Sequence, residues 1–278
     1  MACANFKREN IMSITPEFQF SQSSLHDYEE CVRRFQLRYI DRLAWPAAEV
    51  QPALEHERYI QQGETFHRLV QQHILGIPAD EIVVRGDELR SWWQNYLAYP
   101  PANLPMTRFP EILLSAKIAG HHLVAKYDLL AIEAGQRAVI VDWKTTRKRP
   151  KTQWLTRNIQ TRVYRYVLVR SGVMGHAFIP EQVEMVYWFA NAPTEPEILP
   201  YTVAQFQDDE AYLMRLIEQI KGQTEFPKTE HEGICRFCPY RGLCGRAEKA
   251  GTVEDMIDWL ERDEDVFTLL NTKLEMEF

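Results

Sequence analysis

An apolar run that ends on a carboxylate and an ammonium is the most informative stretch of this chain. Val139-Ile140-Val141-Asp142-Trp143-Lys144-Thr145 has both. Alternation along a strand sets Asp142 and Lys144 on one face. A carboxylate there can hold a divalent cation, and an ammonium two residues on can orient or polarise a water beside it. Asp128, inside Tyr127-Asp128-Leu129-Leu130, is a second acid among apolar neighbours. A short antiparallel turn can bring Asp128 and Asp142 together. Two carboxylates sharing one site repel each other unless a cation lies between them. Taken singly, Asp142 reads more readily as a strand-end turn residue and Asp128 as a solvated strand residue.

The cysteines form a second set of ligands. Cys235-x-x-Cys238-x5-Cys244 lies in the short segment EGICRFCPYRGLCGR, and Cys31 stands far upstream. One C-x2-C pair with a single further cysteine lacks the second pair of an ordinary zinc ribbon. Four thiolates fit a 4Fe-4S cluster, with zinc as the structural alternative. Cys3 is left over. Such a site would tie the C-terminal segment to the N-terminal helix, and its binding energy would be folding energy.

The elements that must position these groups can be read from periodicity. Ser23-Ser24 with Asp27 marks a helix start, and Leu25, Tyr28, Val32, Phe35 and Tyr39 recur at helical spacing. Pro46 and Pro52 break the chain. A second helix is expected over about 55–75, with Tyr59, Phe66, Leu69, Val70 and Ile74 apolar, and a third over about 87–97. Strands at 111–118, 123–132 and 138–143, separated at Gly120 and Gly135, read as an antiparallel meander. A helix over about 155–171, a strand at 183–189, a stiff loop at Pro193, Pro196 and Pro200, and a helix over about 204–221 follow. The order predicts an α/β layer on a mixed sheet.

Asp128, then Asp142-Trp143-Lys144, then Gln160-Thr161-Arg162-Val163-Tyr164 on the following helix, resembles the PD-(D/E)XK nuclease superfamily. More closely it resembles the RecB-type exonuclease branch, which has a Gln-x-x-x-Tyr signature and a histidine within Gly-x-x-x-His on an earlier helix. Here that is Gly63-Glu64-Thr65-Phe66-His67. The split of one cysteine before the core and three after it is similar to the iron–sulfur subgroup, which includes a CRISPR-associated nuclease and the nuclease module of AddB. The resemblance spans about residues 20–247. It implies a restriction-endonuclease-like α/β fold, a mixed central sheet flanked by helices. It also implies His67, Asp128, Asp142 and the Trp143 carbonyl as ligands of Mg²⁺ or Mn²⁺, and Lys144 as the residue that activates the attacking water. Gln160 and Tyr164, one turn apart, would face the substrate strand. Glu111 falls where related enzymes often have an acid and would lie behind the ligands. Three positions depart from the pattern: Ala125 replaces a frequent Gly, Leu129 a frequent Arg, and Val32 the Pro that usually follows the first cysteine.

The chain carries a net charge of −7, unevenly spread. Residues 144–170 hold nine basic side chains and no acid, whereas 248–278 hold ten acids against three bases. Local fields, not the total, steer a ligand. The band of Arg147, Lys148, Arg149, Lys151, Arg157, Arg162 and Arg165, interleaved with Trp143, Trp154, Tyr164 and Tyr166, suits phosphates and unpaired bases. This favours single-stranded DNA or frayed duplex ends. The expected organisation is an N-terminal arm (1–22), one nuclease domain (23–247) and an acidic tail (248–278). The first expectation is an exonuclease of recombination, repair or CRISPR adaptation. The second is a DNA-binding or structural subunit of a helicase or integrase complex, docked through Met256, Ile257, Trp259 and Leu260 in the tail. No leader pattern and no run of about 20 apolar residues is found, so a cytoplasmic location without membrane association is expected.

Overall fold

The computed structural model describes residues 14–43, 53–146, 149–236 and 238–246. Cys3, Pro46, Pro52, Arg147, Lys148 and the acidic tail lie outside them, as does the side chain of Tyr59. The chain enters through β1 (Gln19–Ser21), inside the stretch expected to be an arm, and β1 pairs parallel with β3 (His121–Glu133). Helix α1 (Gln22–Glu30) starts directly at the end of β1. Its cap is therefore Ser21, two residues before the predicted start. The Ser21 hydroxyl accepts the Ser24 amide at 3.2 Å, and Ser24 Oγ accepts the Ser21 amide at 2.9 Å. The helix predicted to run on to Tyr39 is interrupted at Cys31, which is extended (φ −160°, ψ 103°). The chain resumes as α2 (Val32–Phe35) and a π-helical turn, Gln36–Ile40.

Helices α3 (Ala53–Ile74) and α4 (Asp87–Ala98) precede the meander of β2 (Thr107–Ile118), β3 and β4 (Arg137–Lys144). Ala119 and Gly120 make the β2–β3 turn, both at positive φ (49° and 83°). That geometry matches the right-handed twist of the flanking strands. After β4, α5 (Thr152–Arg157) and α6 (Ile159–Ser171) cross over to β5 (Val183–Phe189), which runs parallel to β4. The single helix expected over 155–171 is thus two, divided at Asn158, whose side chain caps α6 by accepting the Gln160 amide at 2.8 Å. The proline loop contains a short edge strand, β6 (Glu197–Pro200), antiparallel to β5. Pro200 ends it, where a missing N–H is tolerated. Helix α7 (Val203–Lys221) and the short α8 (Glu232–Cys235) complete the order.

The sheet is mixed, in the order β1-β3-β4-β5-β6, with β2 on the other edge of β3. Two apolar layers sandwich it. Ala138, Ile140, Met185, Tyr187 and Phe189 pack with α1, α6 and α7 on one face. Val139, Val141, Trp143, Val186 and Trp188 pack with α3 and α4 on the other. Strand β4 alternates cleanly between the layers. Strand β3 does not: Leu123, Ala125 and Tyr127 face the first layer, and so do Leu130 and Ile132, with Leu129 in the second. The alternation slips by one residue beside Asp128. Opposite it on β2, between the pairs Pro110–Leu129 and Ile112–Tyr127, Glu111 is left-handed at φ 56°. A residue with a Cβ adopts that conformation only against a steric cost.

Candidate active site

The last residues of β4 leave β3. Ladder pairing between them ends at Leu129–Val141, while β4 continues alongside β5 through Asp142–Tyr187, Trp143–Trp188 and Lys144–Phe189. A fork opens between β3 and β4, and helices from both faces of the sheet reach into it. The Trp143 amide, which has lost its strand partner, donates to Asp128 Oδ2 at 2.8 Å. From α3, His67 Nδ1 lies 3.2 Å from Asp128 Oδ1 and its Nε2 3.0 Å from the Trp143 carbonyl. Both partners can only accept, so the ring that satisfies both is the imidazolium. From α6, Gln160 Nε2 donates to Asp142 Oδ1 at 2.7 Å, and Gln160 Oε1 accepts from Lys144 Nζ at 3.0 Å. Lys144 Nζ also lies 2.7 Å from Asp142 Oδ2. Asp142 and Lys144 are almost fully enclosed, at 1% and 3% exposed.

Charges this close reshape one another. Burial alone would lower the His67 pKa, but the carboxylate of Asp128, aided by Asp142 and Glu111, outweighs it and raises the group to about 9. Burial works against the charged form of Asp128 too, yet His67, the Trp143 amide and Lys144 hold its carboxyl below the ordinary range. Asp142 goes the other way. Burial pushes it up to about 6, against the pull of Lys144, and the charge of Asp128 adds to the rise. Two neighbouring carboxyls driven apart in pKa mark a candidate reaction centre.

The donor atoms of His67, Glu111 and Asp128 gather within 4.8 Å of one another. Glu111, expected behind the ligands, is thus level with them, while Asp142 stands beside this trio in the grip of Lys144 and Gln160. Nothing in the sequence signals the change, because it depends on the left-handed turn at Glu111. The donor set of one imidazole and carboxylate oxygens suits a hard or borderline dication such as Mg²⁺ or Mn²⁺. Gln160 and Tyr164, expected to face a substrate strand, are buried, 2% and 1% exposed. Gln160 clamps Asp142 and Lys144 from within. Tyr164 sits in the core 5.0 Å ring to ring from Tyr127, whose hydroxyl donates to the Tyr164 carbonyl at 2.9 Å.

A family model described as the PD-(D/E)XK nuclease superfamily matches residues 19–245. The chain belongs to the PD-(D/E)XK nuclease superfamily. Its mixed sheet flanked by helices is the restriction-endonuclease-like fold of that superfamily. Among solved structures, one similar chain is SSO0001, at 15% identity and a TM-score of 0.43 over 83% of this chain and 87% of that one. Another is a Eubacterium rectale protein provisionally named an exonuclease, at 14% identity and a TM-score of 0.48 over 83% and 91%. No curated protein matches the chain. Among the described residues, no helix is long and apolar enough to cross a membrane.

None of the nuclease's four described cysteines is in a disulfide. Cys31, at the break between α1 and α2, is close enough for its charge to act on both Cys235 and Cys238, and that of Cys244 on Cys235. Cys238 and Tyr240 pack on Leu37, and the Tyr240 hydroxyl donates to the Leu43 carbonyl at 2.9 Å. The two ends of the domain meet here. Burial pushes both Cys235 and Cys238 up, the latter to about 11 in spite of Arg34.

Among the described residues of the basic band, several arginines are engaged with acids. Arg149 pairs with Glu195 and Glu197, Arg162 with Asp208 and Asp209, and Arg170 with Glu210. Arg165 is buried with its Nη2 3.3 Å from Asp209 and its guanidinium 4.3 Å above the Tyr201 ring. The aromatics follow suit: Trp143, Tyr164 and Tyr166 lie in the core. Acids of α7, distant in sequence, neutralise the arginines of α6, and Glu195 and Glu197 engage Arg149 ahead of α5. Lys151 and Arg157 remain exposed.

Proposed function

We propose that the chain is a divalent-cation-dependent deoxyribonuclease that hydrolyses phosphodiester bonds of single strands or duplex ends, as an exonuclease. The observation that carries this reading is the β3–β4 fork, where Asp128, Asp142, Lys144 and His67 converge with Glu111. His67, Asp128 and Glu111 would hold Mg²⁺ or Mn²⁺, with Asp142 and the Trp143 carbonyl beside them. When bound, the cation supplies Lewis acidity toward a phosphoryl oxygen and a bound water of lowered pKa. The imidazolium of His67 already binds Asp128 Oδ1 and the Trp143 carbonyl, two oxygens of that set, so a proton stands where the cation would take over. Lys144, fixed between Asp142 and Gln160, would orient the attacking water and balance charge developing on the phosphate. Gln160 positions both partners. The enclosure of Asp142 and Lys144 favours a flexible strand or a frayed end over an intact duplex.

The nearness of Cys31 to Cys235 and Cys238, and of Cys244 to Cys235, supports a four-thiolate centre. We read it as a 4Fe-4S cluster that closes the domain and takes no part in hydrolysis. Raised thiol pKa values mean that its assembly must release protons. The deciding experiment incubates the purified chain with a labelled single-stranded oligodeoxynucleotide and Mn²⁺. The wild type cuts, and Asp142→Ala, folded by circular dichroism, does not. Cutting by Asp142→Ala at the wild-type rate would sink the assignment.

A further inference from the structure

Two strands meet the fork, and each carries a lysine two residues from its aspartate: Asp142 and Lys144 on β4, Lys126 and Asp128 on β3. The chemistry above uses only the first lysine. Lys126 Nζ lies 2.7 Å from Glu111 Oε2, with the two side chains 30% and 20% exposed, so the pair sits at the rim of the site and not on open surface. Glu111 is also one of the three groups gathered for a cation. One carboxylate thus stands between an ammonium on one side and a cation site on the other. A plain cross-strand ion pair would account for the contact with Lys126. It would not account for the left-handed backbone at Glu111, which a regular pairing opposite Asp128 would not need.

We propose that Lys126 is a second phosphate-binding lysine of the nuclease, held by Glu111 until a divalent cation occupies the His67–Glu111–Asp128 group and then turned toward the substrate strand. The proposal rests on the reading that the fork binds a cation and cleaves DNA. A carboxylate that ligates a dication has little charge left for a neighbouring ammonium. An ammonium has three donors and no acceptor, so at the rim it takes the next anion available. In a nuclease that anion is a phosphate next to the scissile one. The device makes tight DNA binding conditional on a loaded cation site, and the coupling is reciprocal.

The test uses the full chain and a fluorescent single-stranded oligodeoxynucleotide, titrated at several salt concentrations without divalent cation and with Ca²⁺. In the wild type, Ca²⁺ should steepen the salt dependence by about 0.7, the increment of one phosphate contact on a single strand. Lys126→Gln should lose that increment and bind Ca²⁺ in calorimetry at least as tightly as the wild type. In Mn²⁺ its KM should rise about tenfold with kcat little changed, as for the loss of one charged contact made equally in ground and transition states. Lys126→Arg should restore the increment, and Glu111→Gln should show it without any cation. An increment absent from the wild type, or the same in Lys126→Gln, overturns the proposal. A wild type that leaves the oligonucleotide intact in Mn²⁺ would instead overturn the nuclease reading, and that arm is read separately.

Discussion

The β3–β4 fork and the cysteine corner both collect potential metal ligands, but the chain builds them differently. Most of the fork comes from one stretch, Glu111 to Gln160, and two strands of the sheet fix its spacing; only His67 arrives from elsewhere. Its groups already hold one another in hydrogen bonds and ion pairs, with pKa values displaced in opposite directions. The corner joins Cys31 to a segment near residue 240, and the thiols of Cys235 and Cys238 are displaced upward chiefly by burial. A site framed by a sheet keeps its geometry without its ion. A site that joins chain ends depends on its occupant for closure. Damage to the first should therefore remove activity and spare the fold, and damage to the second should do the reverse.

The largest effect is expected in the fork. Asp142→Ala should abolish Mn²⁺-supported hydrolysis, and Lys144→Ala should slow it roughly 100- to 1000-fold with little loss of cation affinity. Single-turnover rates alongside calorimetric Mn²⁺ binding separate the two variants. A Lys144→Ala enzyme with normal rate and weakened Mn²⁺ would make that lysine an organiser of ligands, not a participant.

Next comes the corner. Anaerobically purified protein should be brown, with about four irons per chain. Cys31→Ala should lose that iron and expose both chain ends to limited proteolysis, while the remaining folded fraction keeps its specific activity. Colourless, zinc-containing and fully active wild-type protein would reject the iron assignment and leave the fork untouched. Iron retained in Cys31→Ala would show that another group completes the site.

Gln160 lets the comparison be sharpened inside the fork. It touches the reacting groups only through Asp142 and Lys144. Gln160→Leu removes hydrogen bonds to charged groups and should cost about 10- to 100-fold in kcat. Because the clamp keeps Asp142 and Lys144 in register, the pH–rate profile should shift as well. A fall in kcat with an unmoved profile would assign Gln160 to packing alone.

A smaller effect concerns protons. The folded pKa of His67, about 9, lies above the ordinary histidine value of about 6.5. A raised cationic group stabilises the fold fully below its unfolded pKa, and that contribution is lost as pH rises through the folded one. Cation-free protein should therefore lose thermal stability between about pH 6.5 and about 9, and His67→Gln should flatten that decline. For the same reason Mn²⁺ binding at pH 7.5 should release close to one proton from His67. Calorimetry in buffers of different ionisation enthalpy would detect it, and an enthalpy independent of buffer would refute it.

The sequence exposed the fork unevenly. Asp142 and Lys144 are legible because strand alternation is local, and their burial follows from it. Asp128 is legible as an acid out of place among apolar neighbours. The position of Glu111 is not, since a left-handed residue inside a strand leaves no mark in composition. Ser21 is not legible as a helix cap, because β1 is only three residues long and too short to read. The strand at Glu197–Pro200 hid behind the prolines that bound it. Gln160 and Tyr164 were legible as a pair on one helix, but not which way that helix would turn them. The pairing of Arg162, Arg165 and Arg170 is illegible for a related reason: their partners are acids 40 or more residues away, and local charge counting cannot see them.

The smallest expected effect follows from that pairing. If the paired arginines of the basic band carried the DNA, removing them would flatten the salt dependence of binding by about 0.7 per contact on single strands. The observed pairing leaves those charges engaged before any ligand arrives. Arg149→Ala and Arg162→Ala should each leave the slope unchanged within error, although both release acids into solvent and can lower affinity slightly and uniformly by repulsion. Arg165→Ala is a different case, because it removes a buried partner of Asp209, leaving only Arg162 and Tyr201 among those described, and should act on stability instead. A slope that falls by a full contact in Arg162→Ala would mean that phosphate displaces Asp208 and Asp209 from the guanidinium, and would return the α6 face to the binding path. An unchanged slope there, with a lost increment in Lys126→Gln, would place the strand at the rim of the fork.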